Sequence, residues 1–284
     1  MTQVATLSHA EALAPLADTQ PRWTRRLDAP RHTDLLPFID PDSLPAVASR
    51  IREISVRKGD VLFRTGDEPD GMYRIMSGKV KVQRTPDVDS TGQQNVLGVY
   101  GPDQIFGAMS ICDPGPRNAT AIAVTDCVLR FISREDCEEL FYEEPSFARS
   151  IMFQVARHLR LAQNATSALV LQDVPGRVAR AVVLLATRFG ERRPDGTIQV
   201  RHDMTQADIA SMVGASREAV NKAFAEFNNR GWVWSSTKSF IVLDYDRIVR
   251  RAGEWQWEDQ VDVTPVTPYS PWSSRSPESA ESAE

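Results

Sequence analysis

The stretch MTQADIASMVGASREAVNKAFAEFNNRGW, residues 204–232, decides how the rest of the chain is read. Thr205 is suited to cap a helix, and Asp208 three residues later can reach back to the capping residue's own backbone. With Gln206 as the first position of a helix-turn-helix, Ala210 falls at the fifth, where only a small side chain lets the two helices approach. Gly214 falls at the ninth, where the backbone must turn left-handed. Val220 and Ala223 fall where the second helix has to bury apolar atoms against the first. These four steric requirements are met together, which identifies the motif. Ser216 then caps the second helix and sets Arg217, Glu218 and Lys222 on its first turns, the part of this motif that enters the major groove of DNA. An arginine there can take O6 and N7 of a guanine, a glutamate can accept from a cytosine N4, and a lysine can serve a guanine or a phosphate. Glu218 and Lys222 could instead be an ordinary surface pair four residues apart; inside this motif base reading is preferred. Thr205 and Gln206, at the start of the first helix, are added as DNA-contacting candidates.

Working outward, the runs WVWSS and SFIVLD flank Thr237 and Lys238 and read as a hairpin, the wing. Lys238 at its tip, with Arg230 nearby, is expected to touch phosphates, adding affinity without sequence information. On the other side, DVPGRVARAVVLLATRFG (173–190) is an amphipathic helix, followed by a polar turn with Pro194 and Gly196 and a short strand over 197–200. Residues 173–252 are therefore expected to form a winged helix-turn-helix domain.

From Ser146 to about Leu171 runs a long helix. Met152, Val155, Leu159, Ala162, Thr166 and Leu169 recur along it at alternating steps of three and four, a heptad seam that could pack on its own roll but is better suited to a second copy of the chain. Residues 146–172 are read as a dimerisation helix. Upstream, an apolar pattern with helical spacing from Leu44 to Ile54 leads into short alternating runs separated by glycines. About eight short strands closing into a roll are expected between residues 56 and 133, within a sensor domain at 35–145. The whole is an α+β chain.

Composition bounds the function. The formal net charge is −5, but from Glu254 onward seven acids face one base, giving −6 and leaving the remainder at +1. Between Arg201 and Arg251 eight bases face six acids, so charge alone does not identify a nucleic-acid partner. The Pro/Ser/Glu-rich tail (253–284) and the N-terminal arm (1–34) are expected to be disordered. Cys112, Cys127 and Cys137 form no CxxC and are read as small, half-buried apolar residues; the four histidines offer no HxH or HExxH, so no metal site is expected. No catalytic setting is recognisable. No apolar run approaches a membrane span and the start does not resemble a secretory signal, so a cytoplasmic location is expected, with no membrane partner.

Taken together, KGDVLFRTGDEPDGMYRIMSGKVKV (58–82), GPDQIFGAMSICDPGPRNATAIAVTD (101–126), DVPGRVAR (173–180) and GASREAVNKAF (214–224) resemble the CRP/FNR family of regulators over about 35–251, most like its actinobacterial cyclic-AMP receptor branch. The resemblance implies a β-roll sensor with a cyclic-nucleotide-type pocket, a parallel dimer, a two-fold operator with TGTGA-like half-sites, and RNA polymerase as a partner if the protein activates. It assigns base reading to Arg217, Glu218 and Lys222, and an effector pocket to Gly107, Ala108, Met109, Ser110, Arg117, Asn118, Ala162 and Gln163. That pocket departs from the family pattern. Ala108 stands where a glutamate holds the ribose, Asn118 where a Ser or Thr follows the arginine, and Ala162 with Gln163 where a Thr and its polar neighbour meet the adenine. Each lost hydrogen bond to a buried ligand group costs about 1–3 kcal/mol, so two weaken cyclic AMP by roughly two to four orders of magnitude. Three readings stay open: cyclic AMP bound weakly or not at all, which is preferred; another anionic effector at Arg117; or a cyclic-AMP sensor with remodelled contacts. Arg117 could also be a solvated loop residue. A different class of function, a sensor module that regulates allosterically without DNA, conflicts with the intact helix-turn-helix.

Overall fold

The computed structural model describes residues 45–84, 95–113 and 115–253; the expectations for the arm before residue 45 and the acidic tail from residue 254 lie outside them. A short helix α1 (Pro45–Ala48) precedes strands β1 (Arg52–Val56), β2 (Val61–Phe63), β3 (Gly71–Ser77), β4 (Val80–Arg84), β5 (Asn95–Tyr100), β6 (Ile105–Phe106), β7 (Thr120–Ala123) and β8 (Cys127–Ser133). They form two antiparallel sheets, in the orders β1-β8-β3-β6 and β2-β7-β4-β5. Alternation along the strands turns Tyr73, Ile75, Val80, Phe106, Ala121 and Leu129 inward to one apolar core, the roll expected from the sequence.

The helical spacing read over Leu44–Ile54 is corrected: the helix ends at Ala48, and Arg52–Val56 pairs with β8, Arg52 opposite Phe131 and Val56 opposite Cys127. Ile54 and Val56 pack on the roll core at a strand's spacing of two, whereas Leu44, Val47, Ile51 and Ile54 recur in the sequence at helical steps of three and four.

Between β6 and β7 lies the four-residue helix α2 (Met109–Cys112), and after β8 come α3 (Arg134–Glu143) and α4 (Pro145–Leu171). The sequence pattern does not announce α3, because its segment REDCEELFYE buries only Cys137 and Leu140. Ser133 caps it, accepting from the Asp136 amide. Phe147 and Ile151, fully buried beside Met72, Ile132 and Leu140, root the first turns of α4 in the roll. The 27 residues of α4 span about 40 Å, and past Ile151 one side of the helix stays against the roll through Val155 and His158 while the other is exposed.

The C-terminal part begins with α5 (Val174–Phe189), capped by Asp173, which accepts from the Gly176 amide and receives Arg251 Nη2 at 2.7 Å. Then come β9 (Gly190–Arg192), β10 (Ile198–Arg201), α6 (Gln206–Val213), α7 (Arg217–Asn229), β11 (Val233–Ser235), β12 (Ser239–Val242) and α8 (Tyr245–Ala252). A sheet in the order β11-β12-β10-β9 carries the wing. β9 and α8 were not expected from the sequence. Val182, Ile209, Val213, Val220, Phe227, Val242 and Ile248 share the core of this part.

Candidate DNA interface and effector pocket

The helix-turn-helix stands as its residue spacing requires. The Thr205 hydroxyl accepts from the Asp208 amide while the Asp208 carboxylate accepts from the Thr205 amide at 2.9 Å, a reciprocal capping box. Ala210 is 3% exposed at the helix crossing. Gly214 ends α6 at φ +63°, a left-handed conformation that favours glycine. Ser216 caps α7 by accepting from the Ala219 amide. Val220, Ala223, Phe224 and Phe227 turn into the core. Arg217, Glu218 and Lys222 are thereby left exposed on the outer face. None of the three takes part in an ion pair among the described residues, and the 3.0 Å pair on this helix joins Arg230 to Glu226 instead. Arg230, expected at a phosphate, also lies 4.9 Å from the ring centre of Trp232. Lys238 is exposed in the β11–β12 turn; its backbone carbonyl accepts from the His202 and Asp203 amides. Gln206 is only half-exposed, and its Oε1 is buried without a hydrogen-bond partner.

The expected seam on α4 divides. Met152 (67% exposed), Leu159 (59%) and Leu169 (54%) stand out from their own protomer, as do Ala162 and Thr166. Val155 is half-buried and packs on the roll core beside Ile151, so it serves its own domain at least in part.

In the roll, the residues expected around an effector are spread over different surroundings. Ala108 and Ser110 are buried, Met109 and Asn118 exposed, and Ala162 and Gln163 exposed on α4. Arg117 is 1% exposed, which rules out a solvated loop arginine. Its Nη1 donates to Gly107 O at 2.9 Å, its Nη2 to Gly71 O and to Asp70 Oδ1 at 2.5 Å, and it lies 4.1 Å from the ring centre of Phe63. Tyr73 Oη holds the other Asp70 oxygen at 2.7 Å. Of the arginine's donors, Nε is buried and unpartnered. Asp70 lies 47 residues from Arg117 and was missed from the sequence, where nothing local signals the pairing.

A separate cleft between the roll, α4 and α5 is lined by Tyr100, Asp103, Gln154, Arg157, His158 and Arg188. His158 meets the Tyr100 ring edge-on, and burial, with Arg188 and Arg157 beside it, pushes its pKa down to about 4. All three cysteines are free; Cys127 and Cys137 are buried and Cys112 is exposed.

Two family models match the two halves of this architecture: the cyclic nucleotide-binding domain over residues 53–144 and the Crp-like helix-turn-helix domain over 176–251. The chain is 38% identical over 215 residues, 75% of its length, to the CRP-like cAMP-activated global transcriptional regulator of Mycobacterium tuberculosis (strain CDC 1551 / Oshkosh), covering 94% of that protein. The chain belongs to the CRP/FNR family. It is a DNA-binding transcription regulator of that family. The cyclic AMP receptor protein of Thermus thermophilus is 31% identical, with 68% of this chain and 84% of that one aligned. Among solved structures, FixK2 from Bradyrhizobium japonicum shares the fold at a TM-score of 0.64 and 20% identity, covering 72% of this chain and 98% of FixK2. Within this CRP/FNR chain the helix-turn-helix is complete, and of the two alanines at positions where polar effector contacts were expected, Ala108 is buried and Ala162 exposed.

Proposed function

We propose that the protein works as a homodimer joined along α4, binds a two-fold operator with TGTGA-like half-sites, and depends weakly or not at all on cyclic AMP; it is not an enzyme and acts in the cytoplasm. The observation that carries this reading is the pair of unengaged surfaces: Arg217, Glu218 and Lys222 exposed on capped α7, and Met152, Leu159 and Leu169 exposed along α4. An apolar stripe of that size on water is a cost that a second copy removes. Dimer symmetry then sets two reading helices about one helical turn of DNA apart. If the protein activates, RNA polymerase is its partner.

Weak cyclic-AMP dependence follows from chemistry. Ala108 offers no acceptor for a ribose hydroxyl, and Ala162 none for adenine. Arg117 already spends three of its five N–H groups on Asp70 and two carbonyls, leaving the buried Nε–H and one Nη1–H as donors for a phosphate or another anion. The test is a titration of the full chain on a two-fold TGTGA duplex at two salt concentrations, with and without millimolar cyclic AMP. Tight binding unchanged by the nucleotide supports the reading; binding that appears only with cyclic AMP overturns the effector part of it.

A further inference from the structure

In a ligand-gated regulator the effector selects an orientation of the reading domain by binding that state more tightly. If the effector contacts are missing, something else has to set that orientation. The surface where β4 and β5 of the roll meet α5 and α6 combines a shared apolar core with hydrogen bonds and ion pairs.

Val96 and Val99, on β5, are 3% and 1% exposed and belong to the same apolar core as Ile209, Val213 and Phe189 of the reading domain. The Val96 amide donates to Ser211 Oγ at 2.9 Å, and Arg188 Nη1 to Val99 O at 2.6 Å. The approach is close enough that a Cβ on Gly101 would lie 2.4 Å from Phe189 Cε1. Around this apolar contact stand two ion pairs. Lys79 Nζ reaches Asp203 Oδ2 and donates to Arg201 O at 2.5 Å, and Lys81 Nζ reaches Asp208 Oδ1 at 2.6 Å. Both lysine side chains are only 15% exposed. Burial raises the Asp208 pKa, but the hydrogen bonds from Lys81 and Thr205 outweigh it and hold the carboxyl below its ordinary range. Asp208 thus closes the α6 capping box with one oxygen and ties α6 to the roll with the other.

We infer that Lys79 and Lys81 form an intramolecular latch that holds the reading domain in its DNA-binding orientation in place of an effector. The latch rests on the effector-independent reading proposed above and names the residues that make it possible. Because the two pairs are largely shielded from solvent and flank an apolar contact, they select an orientation and the valines supply the adhesion.

The experiment uses the full chain and the double variant Lys79→Ala/Lys81→Ala, with Lys79→Arg/Lys81→Arg as conservative rescue. Lys58→Ala is the control for simply removing a roll charge, since its ammonium makes no ion pair among the described residues. Without nucleotide, the alanine variant is expected to lose roughly tenfold in operator affinity while affinity for random duplex stays within the Lys58→Ala control; the unfolding midpoint is expected to fall, because Asp208 keeps its charge without its lysine, so all binding is measured at a temperature where the variant is folded. Amide exchange on free protein is expected to rise at 95–99 and 206–213, and the arginine variant to restore both readouts. Unchanged exchange with unchanged affinity overturns the latch while leaving nucleotide-free operator binding by the parent chain intact. Faster exchange with tighter operator binding overturns it too, because the docked state would then be the inhibited one. Parent protein that binds the operator only with cyclic AMP, yet shows the same exchange response, separates a real dock from the failed effector-independent reading and overturns the latch as an effector substitute.

Discussion

Replacing Arg217 by Ala removes a side chain that stands exposed at the first position of α7 and makes no ion pair among the described residues. The cap comes from Ser216 and the anchors from Val220, Ala223 and Phe227, so the free protein should be unchanged in stability within about 0.5 kcal/mol. The whole effect therefore falls on DNA. A bidentate contact to a guanine contributes about 1–3 kcal/mol of discrimination, which corresponds to roughly 5- to 150-fold in Kd. The assay is fluorescence anisotropy on the operator and on a set of duplexes with one base pair changed at a time. The expected result is weaker operator binding with discrimination lost at one symmetric position and kept elsewhere. Uniform weakening on every duplex, with a salt slope reduced by about one, would make Arg217 a phosphate contact and refute the base-reading argument.

Lys238→Ala should weaken all duplexes alike and lower the log–log salt slope by about 0.9 for each phosphate left without its lysine; a position-specific effect contradicts its placement at the wing tip. Leu159→Glu should convert dimer to monomer in sedimentation and abolish cooperative operator binding, with the monomer still folded because Leu159 is 59% exposed; an unchanged dimer removes α4 from the interface. Buried His202 and half-buried His158 are each pushed down to about 4, so their neutral forms are favoured in the fold. Their contribution is complete above the ordinary histidine pKa of about 6.5 and is lost as pH falls from there towards 4, at most roughly 3 kcal/mol each. Urea unfolding midpoints at pH 7.5, 6 and 5 should fall in that order, and a flat profile contradicts the burial argument.

How legible each part was depends on the range of the interaction behind it. The helix-turn-helix is a local object: Thr205 with Asp208, the left-handed Gly214 and the Ser216 cap all satisfy neighbours within three or four residues, so spacing alone announces them. The roll and α4 were readable for a similar reason, since alternation and the heptad express which face is buried. The segment from Leu44 to Ile54 misled because Ile51 and Ile54 keep a helical interval while Ile54 and Val56 keep a strand's, and the pairing with β8 that settles the choice comes from 70 or more residues away. α3 escaped because a mostly solvated helix has little apolar periodicity. Arg117 with Asp70, and Lys81 with Asp208, are partners only after folding; 127 residues separate the second pair, and no local pattern records them.

The measurement that bears most directly on the central claim is the stoichiometry and specificity of the nucleotide-free protein on DNA, measured at physiological salt on a two-fold TGTGA duplex, a duplex with one half-site scrambled, and random DNA. The account requires two protomers on the intact operator, at least roughly a thousandfold tighter than on random DNA, with most of that ratio gone when one half-site is scrambled. Equal affinity for all three duplexes, or one protomer bound per operator, would contradict it.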